Sequence, residues 1–134
     1  MTTLKSESMA VVASADVVRL RQKVRAWTIE LNFSLVDQTK MITASSELAR
    51  NTLDHGGGGT CVLEIVTNGS RTGLRLTFED HGPGIPDLDL ALTDGYSSGG
   101  GMGLGLSGSK RLVNEFQIAS NVGEGTRVSV VRWK

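Results

Sequence analysis

The chain has one cysteine, Cys61, among its 134 residues. A single cysteine excludes an intrachain disulfide and a cysteine-based zinc site. It stands in an apolar stretch, Thr60-Cys61-Val62-Leu63-Glu64-Ile65-Val66, where a thiol reads as a small buried hydrophobe rather than a reactive group. Excess charge is missing too, because 14 Lys and Arg balance 14 Asp and Glu. That balance argues against a nucleic-acid partner, which wants a basic face. No apolar run reaches membrane-spanning length, and Met1-Thr2-Thr3-Leu4-Lys5-Ser6-Glu7 has no apolar signal core. The expectation is a cytoplasmic protein with no membrane partner. With no repeat and no inner linker, 134 residues read as one domain that buries roughly two-thirds of its unfolded surface.

What is abundant is glycine, at 17 residues, and it is clustered. An alternating strand, Leu74-Arg75-Leu76-Thr77-Phe78, runs into Glu79-Asp80-His81-Gly82-Pro83-Gly84-Ile85-Pro86. The apolar residues of that strand are even-numbered, so Asp80 falls on the inward face with Leu76 and Phe78. An ionised carboxylate aimed at a core is costly unless something meets it. Glycines straight after it let a ligand approach the backbone closely. A second cluster follows at Gly99-Gly100-Gly101-Met102-Gly103-Leu104-Gly105-Leu106. Together they ask for a flat hydrogen-bonding ligand with a charged tail, a nucleotide.

Residues 1–7 read as a frayed end, and residues 9–13 as a short strand. Val17, Leu20, Val24, Trp27 and Leu31 recur at helical spacing, with Asp16 as N-cap. Ser34-Leu35-Val36-Asp37 resembles a capping box that opens a helix to about Leu53. Residues 60–67 and 73–79 read as a hairpin joined near Asn68-Gly69-Ser70. Residues 82–101 exceed ordinary loop length, which favours a functional lid, placed at about 86–102. A third helix is expected over 103–116, then closing strands over 117–121 and 126–133. The fold class is α+β, a two-layer sandwich with a mixed, mostly antiparallel sheet covered by about three helices.

Glu47 and Asn51 are four apart on the second helix and share a face with Ala44 and Leu48. They read either as two partly exposed residues with no role, or as a base and a metal ligand. On the second reading Asn51 offers a carbonyl oxygen to Mg²⁺, which prefers oxygen ligands and bridges to phosphates. Glu47 then stands ready to deprotonate a nucleophile. Asp80, an acceptor when ionised, would meet the exocyclic amine of adenine, whereas guanine presents a carbonyl there. The mismatch costs about 1–3 kcal/mol, so the site should prefer ATP over GTP. Gly101, Gly103 and Gly105 make a nest of backbone N–H groups for phosphates, with Leu106 beside them. Residues 103–108 also fit G-x-G-x-x-G, but no strand precedes them; a P-loop fails because Ser109 stands at the lysine position. Lys110 and Arg111 read as exposed helix charges or as phosphate neighbours. Thr126 shares parity with Val128 and Val130, and reads either as a β-former or as a second hydroxyl at the base.

Glu47-x-x-x-Asn51, Asp80-x-Gly82-x-Gly84, Gly101-x-Gly103-x-Gly105 and Gly125-Thr126, in this order, resemble the four nucleotide-binding boxes of the GHKL (Bergerat-fold) ATPase and kinase superfamily. Within it, Ser46-Glu47-Leu48-Ala49-Arg50-Asn51, Asp94-Gly95-Tyr96-Ser97-Ser98 and residues 110–116 resemble the small serine/threonine switch kinases of the stressosome. The resemblance implies ATP and Mg²⁺ between helices and sheet. It implies Glu47 as catalytic base, Asn51 as magnesium ligand, Asp80 with Gly82, Gly84 and Thr126 at the adenine, and Gly101, Gly103, Gly105 and Leu106 at the phosphates. It further implies a Ser or Thr acceptor on a STAS-domain protein, and release by that phosphorylation to activate a PP2C-type phosphatase. Asp54-His55 resembles the anti-sigma relatives more, which keeps open a factor that sequesters a sigma factor and phosphorylates its antagonist. A histidine-kinase catalytic domain would need a phosphoacceptor histidine on a helix pair; His55 and His81 both adjoin glycine motifs instead.

Overall fold

The computed structural model describes residues 1–93 and 106–134. Five strands and four helices run in the order β1 (Thr2–Val11), α1 (Ser14–Glu30), α2 (Leu35–Asp54), β2 (Gly59–Asn68), β3 (Arg71–Asp80), α3 (Leu88–Ala91), α4 (Leu106–Arg111), β4 (Glu115–Asn121) and β5 (Gly125–Trp133). The strands form one sheet in the order β1-β2-β3-β5-β4, and every pairing is antiparallel. Alternation decides its faces. Cys61, Leu63 and Ile65 of β2, Leu74, Leu76 and Phe78 of β3, and Val128 and Val130 of β5 are buried on the inner face. They meet Leu20, Val24 and Trp27 of α1 and Met41, Ala44 and Leu48 of α2. This is the expected α+β two-layer fold.

Burial pushes the Cys61 thiol far up from its ordinary pKa, so it stays an uncharged hydrophobe. On the other face Val66, Val131 and Trp133 make a small separate cluster. Gly73 sits beneath Trp133 because a Cβ there would lie 2.8 Å from the indole.

Three expectations need correction. Residues 1–7 do not fray, because β1 begins at Thr2 and pairs with β2 from Thr2↔Thr67 to Val11↔Gly59. Their polar composition hid a strand whose backbone closes the edge of β2. Its inward side chains bind α1 through charge: Lys5 pairs with Glu30 and lies 4.3 Å from the Trp27 ring centroid, while Lys23 pairs with Glu7. Asp16 is not the N-cap of α1. Ala13 is, and Asp16 reaches back to accept from the N–H groups of Val12 and Ala13. Those bonds, led by the one from Val12, hold its carboxyl below the usual range. The third helix stops at Arg111 rather than 116. The sheet captures the residues after it: Asn114 N–H donates to Val131 O, and Arg132 donates to Leu112 O at 2.8 Å.

The second helix begins as expected, with Ser34 Oγ accepting from Asp37 N–H at 3.1 Å. Asp37 in turn accepts from Arg132 at 2.6 Å, which ties the start of α2 to β5 and holds the Asp37 carboxyl below its ordinary pKa. No helix among the described residues is long and apolar enough to cross a membrane.

Candidate nucleotide-binding site

The site grows from the end of β3. Asp80 is 6 % exposed and faces inward, as the parity of Leu76 and Phe78 requires. Its Oδ1 accepts from Gly82 N–H at 3.0 Å and from Thr126 N–H at 3.2 Å. Both described bonds fall on Oδ1. Asp80 is also the β-sheet partner of Thr126. Two loops press close around this carboxylate. A Cβ on Gly56 would lie 2.3 Å from Asp80 Cγ, and one on Gly82 would lie 2.7 Å from Gly56 Cα. Gly84 has φ +77°, and a Cβ there would meet Asn121 O at 2.3 Å. The Gly56 approach was not apparent in the sequence, although Gly56 opens a visible run of four glycines.

Asn51, His55, Gly56, Asp80, Gly84, Ile85 and Thr126 line one cavity of about 10 Å³, room for roughly one water. A purine is larger. Asn51 is 7 % exposed, and its buried Oδ1 has no hydrogen-bond partner among the described residues. An orphaned buried carbonyl oxygen costs stability. A hard cation that takes oxygen donors fits it. Among the described residues no group of three His, Cys, Asp or Glu could cage a metal.

Glu47 departs from the expected inward stripe. Ala44, Leu48 and Asn51 are buried, whereas Glu47, one turn before Asn51, is exposed. A carboxylate at that border is far cheaper in water than in the core. Leu106 turns its side chain into the core, at 1 % exposure, so any ligand contact it makes runs through its main chain. Lys110 and Arg111 are exposed. Gly101, Gly103, Gly105 and much of the expected lid lie outside the described residues. The structure thus brings together Asn51, Asp80, Gly84 and Thr126, sets Gly82 against Gly56, and leaves Glu47 at the solvent edge.

An inward acid at the end of β3, facing an uncommitted amide oxygen on α2, is the frame that sequence comparison meets. Residues 36–134 match the family of histidine kinase-, DNA gyrase B- and HSP90-like ATPases. The chain belongs to that family. It is 45% identical over 118 residues to the serine/threonine-protein kinase RsbT of Bacillus subtilis (strain 168), covering 88% of this chain and 89% of that one. It is 27% identical over 119 residues to the anti-sigma F factor of Anoxybacillus flavithermus (strain DSM 21510 / WK1), covering 84% and 80%. Among solved structures it resembles the RsbU and RsbW domains of a Mycobacterium tuberculosis protein, with TM-score 0.63 and 19% identity over 96% of this chain and 33% of that one. It also resembles the catalytic domain of the histidine kinase ThkA, with TM-score 0.55 and 13% identity over 96% and 95%. These two share the fold. Membership of the GHKL family, with the similarity to RsbT, makes this chain an ATP-dependent protein kinase of the serine/threonine class.

Proposed function

We propose that this kinase transfers the γ-phosphate of ATP to a serine or threonine of a STAS-domain partner, and that the transfer releases it to activate a PP2C-type phosphatase in the cytoplasm. The observation that carries the nucleotide site is the buried Asn51 Oδ1, unpartnered among the described residues, sharing one cavity with Asp80 and Thr126. The likeness to RsbT and to an anti-sigma F factor supports a role in switching between regulatory partners.

In this reading Asp80 Oδ2 accepts from the exocyclic amine of adenine, with Gly82, Gly84 and Thr126 shaping the base pocket. Asn51 Oδ1 would hold Mg²⁺, and backbone N–H groups at Gly101, Gly103, Gly105 and Leu106 would hold the phosphates. The bound cation would offset charge on the phosphate oxygens. Phosphoryl transfer passes through a loose transition state, so alignment and charge neutralisation do most of the work. Glu47 takes the proton of the acceptor hydroxyl as its oxygen bonds to phosphorus and the bond to ADP breaks. Its exposure suits this role, because the hydroxyl arrives on another protein. A base so placed contributes about 10²–10⁴-fold.

The test is incubation with labelled ATP, Mg²⁺ and a STAS-domain protein, followed by mapping of the labelled residue. Label on a STAS serine or threonine supports the reading. Failure to label any STAS protein, with a sigma factor recovered in a pull-down, would favour the anti-sigma alternative.

A further inference from the structure

Ser120 of β4 was not singled out by any motif, yet it touches three parts of the base pocket. It shares the inward parity of Phe116 and Ile118, is half-buried, and is the sheet partner of Thr126. Its Oγ accepts from Ile85 N–H at 2.7 Å, donates to Gly125 O at 3.1 Å, and lies 2.8 Å from Thr126 Oγ1. The turn after β4 adds a second tie to the same loop, with Gly123 N–H donating to Pro83 O at 2.8 Å.

The direction of the third contact depends on where Ser120 sends its one proton. A serine hydroxyl has one proton and two lone pairs. Gly125 O at 3.1 Å and Thr126 Oγ1 at 2.8 Å both lie within reach of the Ser120 proton, and one lone pair takes Ile85 N–H. With that proton on Gly125 O, only a lone pair remains for Thr126, and the Thr126 hydroxyl is then the donor between them. Thr126 Oγ1 then has no proton left and shows the cavity lone pairs alone. Asp80 also presents an acceptor to that cavity.

We propose that Ser120 gives its proton to Gly125 O and is thereby a positioning residue that orients the Thr126 hydroxyl as an acceptor, so that two acceptors select a base edge carrying an amine. The inference rests on the nucleotide reading above and adds to it the source of base selectivity. A base with a carbonyl at that edge meets Asp80 and a hydroxyl that cannot turn to donate. Without Ser120 the Thr126 hydroxyl rotates freely and can serve either edge.

Titration calorimetry with ATP and with inosine triphosphate, whose base has a carbonyl where adenine has its amine, tests this. Ser120→Ala should lower the ATP-to-ITP affinity ratio by about tenfold, the weight of one hydrogen bond. Ser120→Thr, which keeps the hydroxyl, should retain the wild-type ratio. In a Thr126→Val background, Ser120→Ala should change the ratio less than about twofold, because the hydroxyl it orients is gone. Equal weakening of both nucleotides by Ser120→Ala, or the same loss of ratio in the Thr126→Val background, would overturn the proposal and leave Ser120 a packing residue, with the nucleotide reading intact. Absence of binding of either nucleotide to the unaltered protein would overturn the nucleotide reading itself, and this proposal with it.

Discussion

Asp80 and Thr126 face each other across β3 and β5, and the Thr126 amide donates to the Asp80 carboxylate at 3.2 Å. One carboxylate oxygen is thereby committed to the protein, and in the proposed reading the other takes the base amine. Replacing Asp80 by Asn puts an NH₂ where either the Gly82 and Thr126 amides or the base amine needs an acceptor. Hydrogen bonds to charged groups contribute about 1.5–3 kcal/mol, so Asp80→Asn should weaken ATP binding by about 10- to 100-fold. Calorimetry with ATP and Mg²⁺ measures it. An unchanged affinity would remove Asp80 from the base site.

Glu47 predicts the opposite pattern. It is exposed on α2, so Glu47→Gln should change unfolding free energy by less than about 0.5 kcal/mol. Nucleotide affinity should also hold, because Glu47 is outside the cavity lining around Asp80. Transfer to a partner should fall by about 10²–10⁴-fold. Single-turnover phosphorylation under saturating ATP separates chemistry from binding, and a wild-type rate would show that another group takes the proton.

Asn51 predicts a gain as well as a loss. Its buried Oδ1 has no partner among the described residues, and a polar group left so costs about 1–3 kcal/mol in the folded state. Asn51→Leu, of similar size, removes that oxygen. The variant should unfold at higher urea, by about 1 kcal/mol, while losing the magnesium dependence of nucleotide binding. Denaturation curves and titrations with and without Mg²⁺ check both halves. Lower stability would mean that the amide is anchoring the fold rather than waiting for a ligand.

How much of the fold and site was legible in the sequence depends on the range of each signal. Asp80 and Thr126 were readable because parity along a strand reports which face a residue takes, and both are buried as that parity requires. Asn51 was readable in the same way from helical spacing with Ala44 and Leu48. Glu47 shows the limit of that reading: the spacing that placed it with Asn51 does not say where the helix surface meets water. Strand β1 was missed because Lys5, Ser6, Glu7 and Ser8 look like a solvated tail, and only pairing with β2 makes them a strand. Ser120 and Gly56 were missed because their importance lies in contacts across long sequence separations, with Ile85 and with Asp80.

Gly84 offers a test of the pocket wall. Its φ of +77° and the 2.3 Å approach that a Cβ would make to Asn121 O are two separate obstacles to any side chain. The obstructing atom is backbone of β4, which cannot swing aside. Gly84→Ala should cost about 1–3 kcal/mol of stability and loosen the contact between residues 83–85 and the β4–β5 turn. Hydrogen exchange should show faster exchange at the Ile85 and Gly123 amides, whose bonds to Ser120 and Pro83 hold that contact. Full protection of both would show that the wall tolerates the side chain.

Arg132 and Asp37 make stability depend on acid. Arg132 is 13 % exposed at its side chain and donates to Asp37 at 2.6 Å and to Leu112 O at 2.8 Å. The guanidinium holds the Asp37 carboxyl below its ordinary value of about 3.9. A carboxyl whose folded pKa is depressed contributes its stability above the unfolded pKa and loses it as pH falls through the folded one. The contribution is therefore complete above about pH 5 and fades below about pH 4. Asp37→Asn should lower stability at about pH 7 by about 1–2 kcal/mol and make the curve flatter between about pH 5 and pH 2. Urea unfolding across that range is the measurement. Parallel curves for the two proteins would mean that the Asp37 carboxylate gains nothing from Arg132, and that α2 and β5 are held together by packing alone.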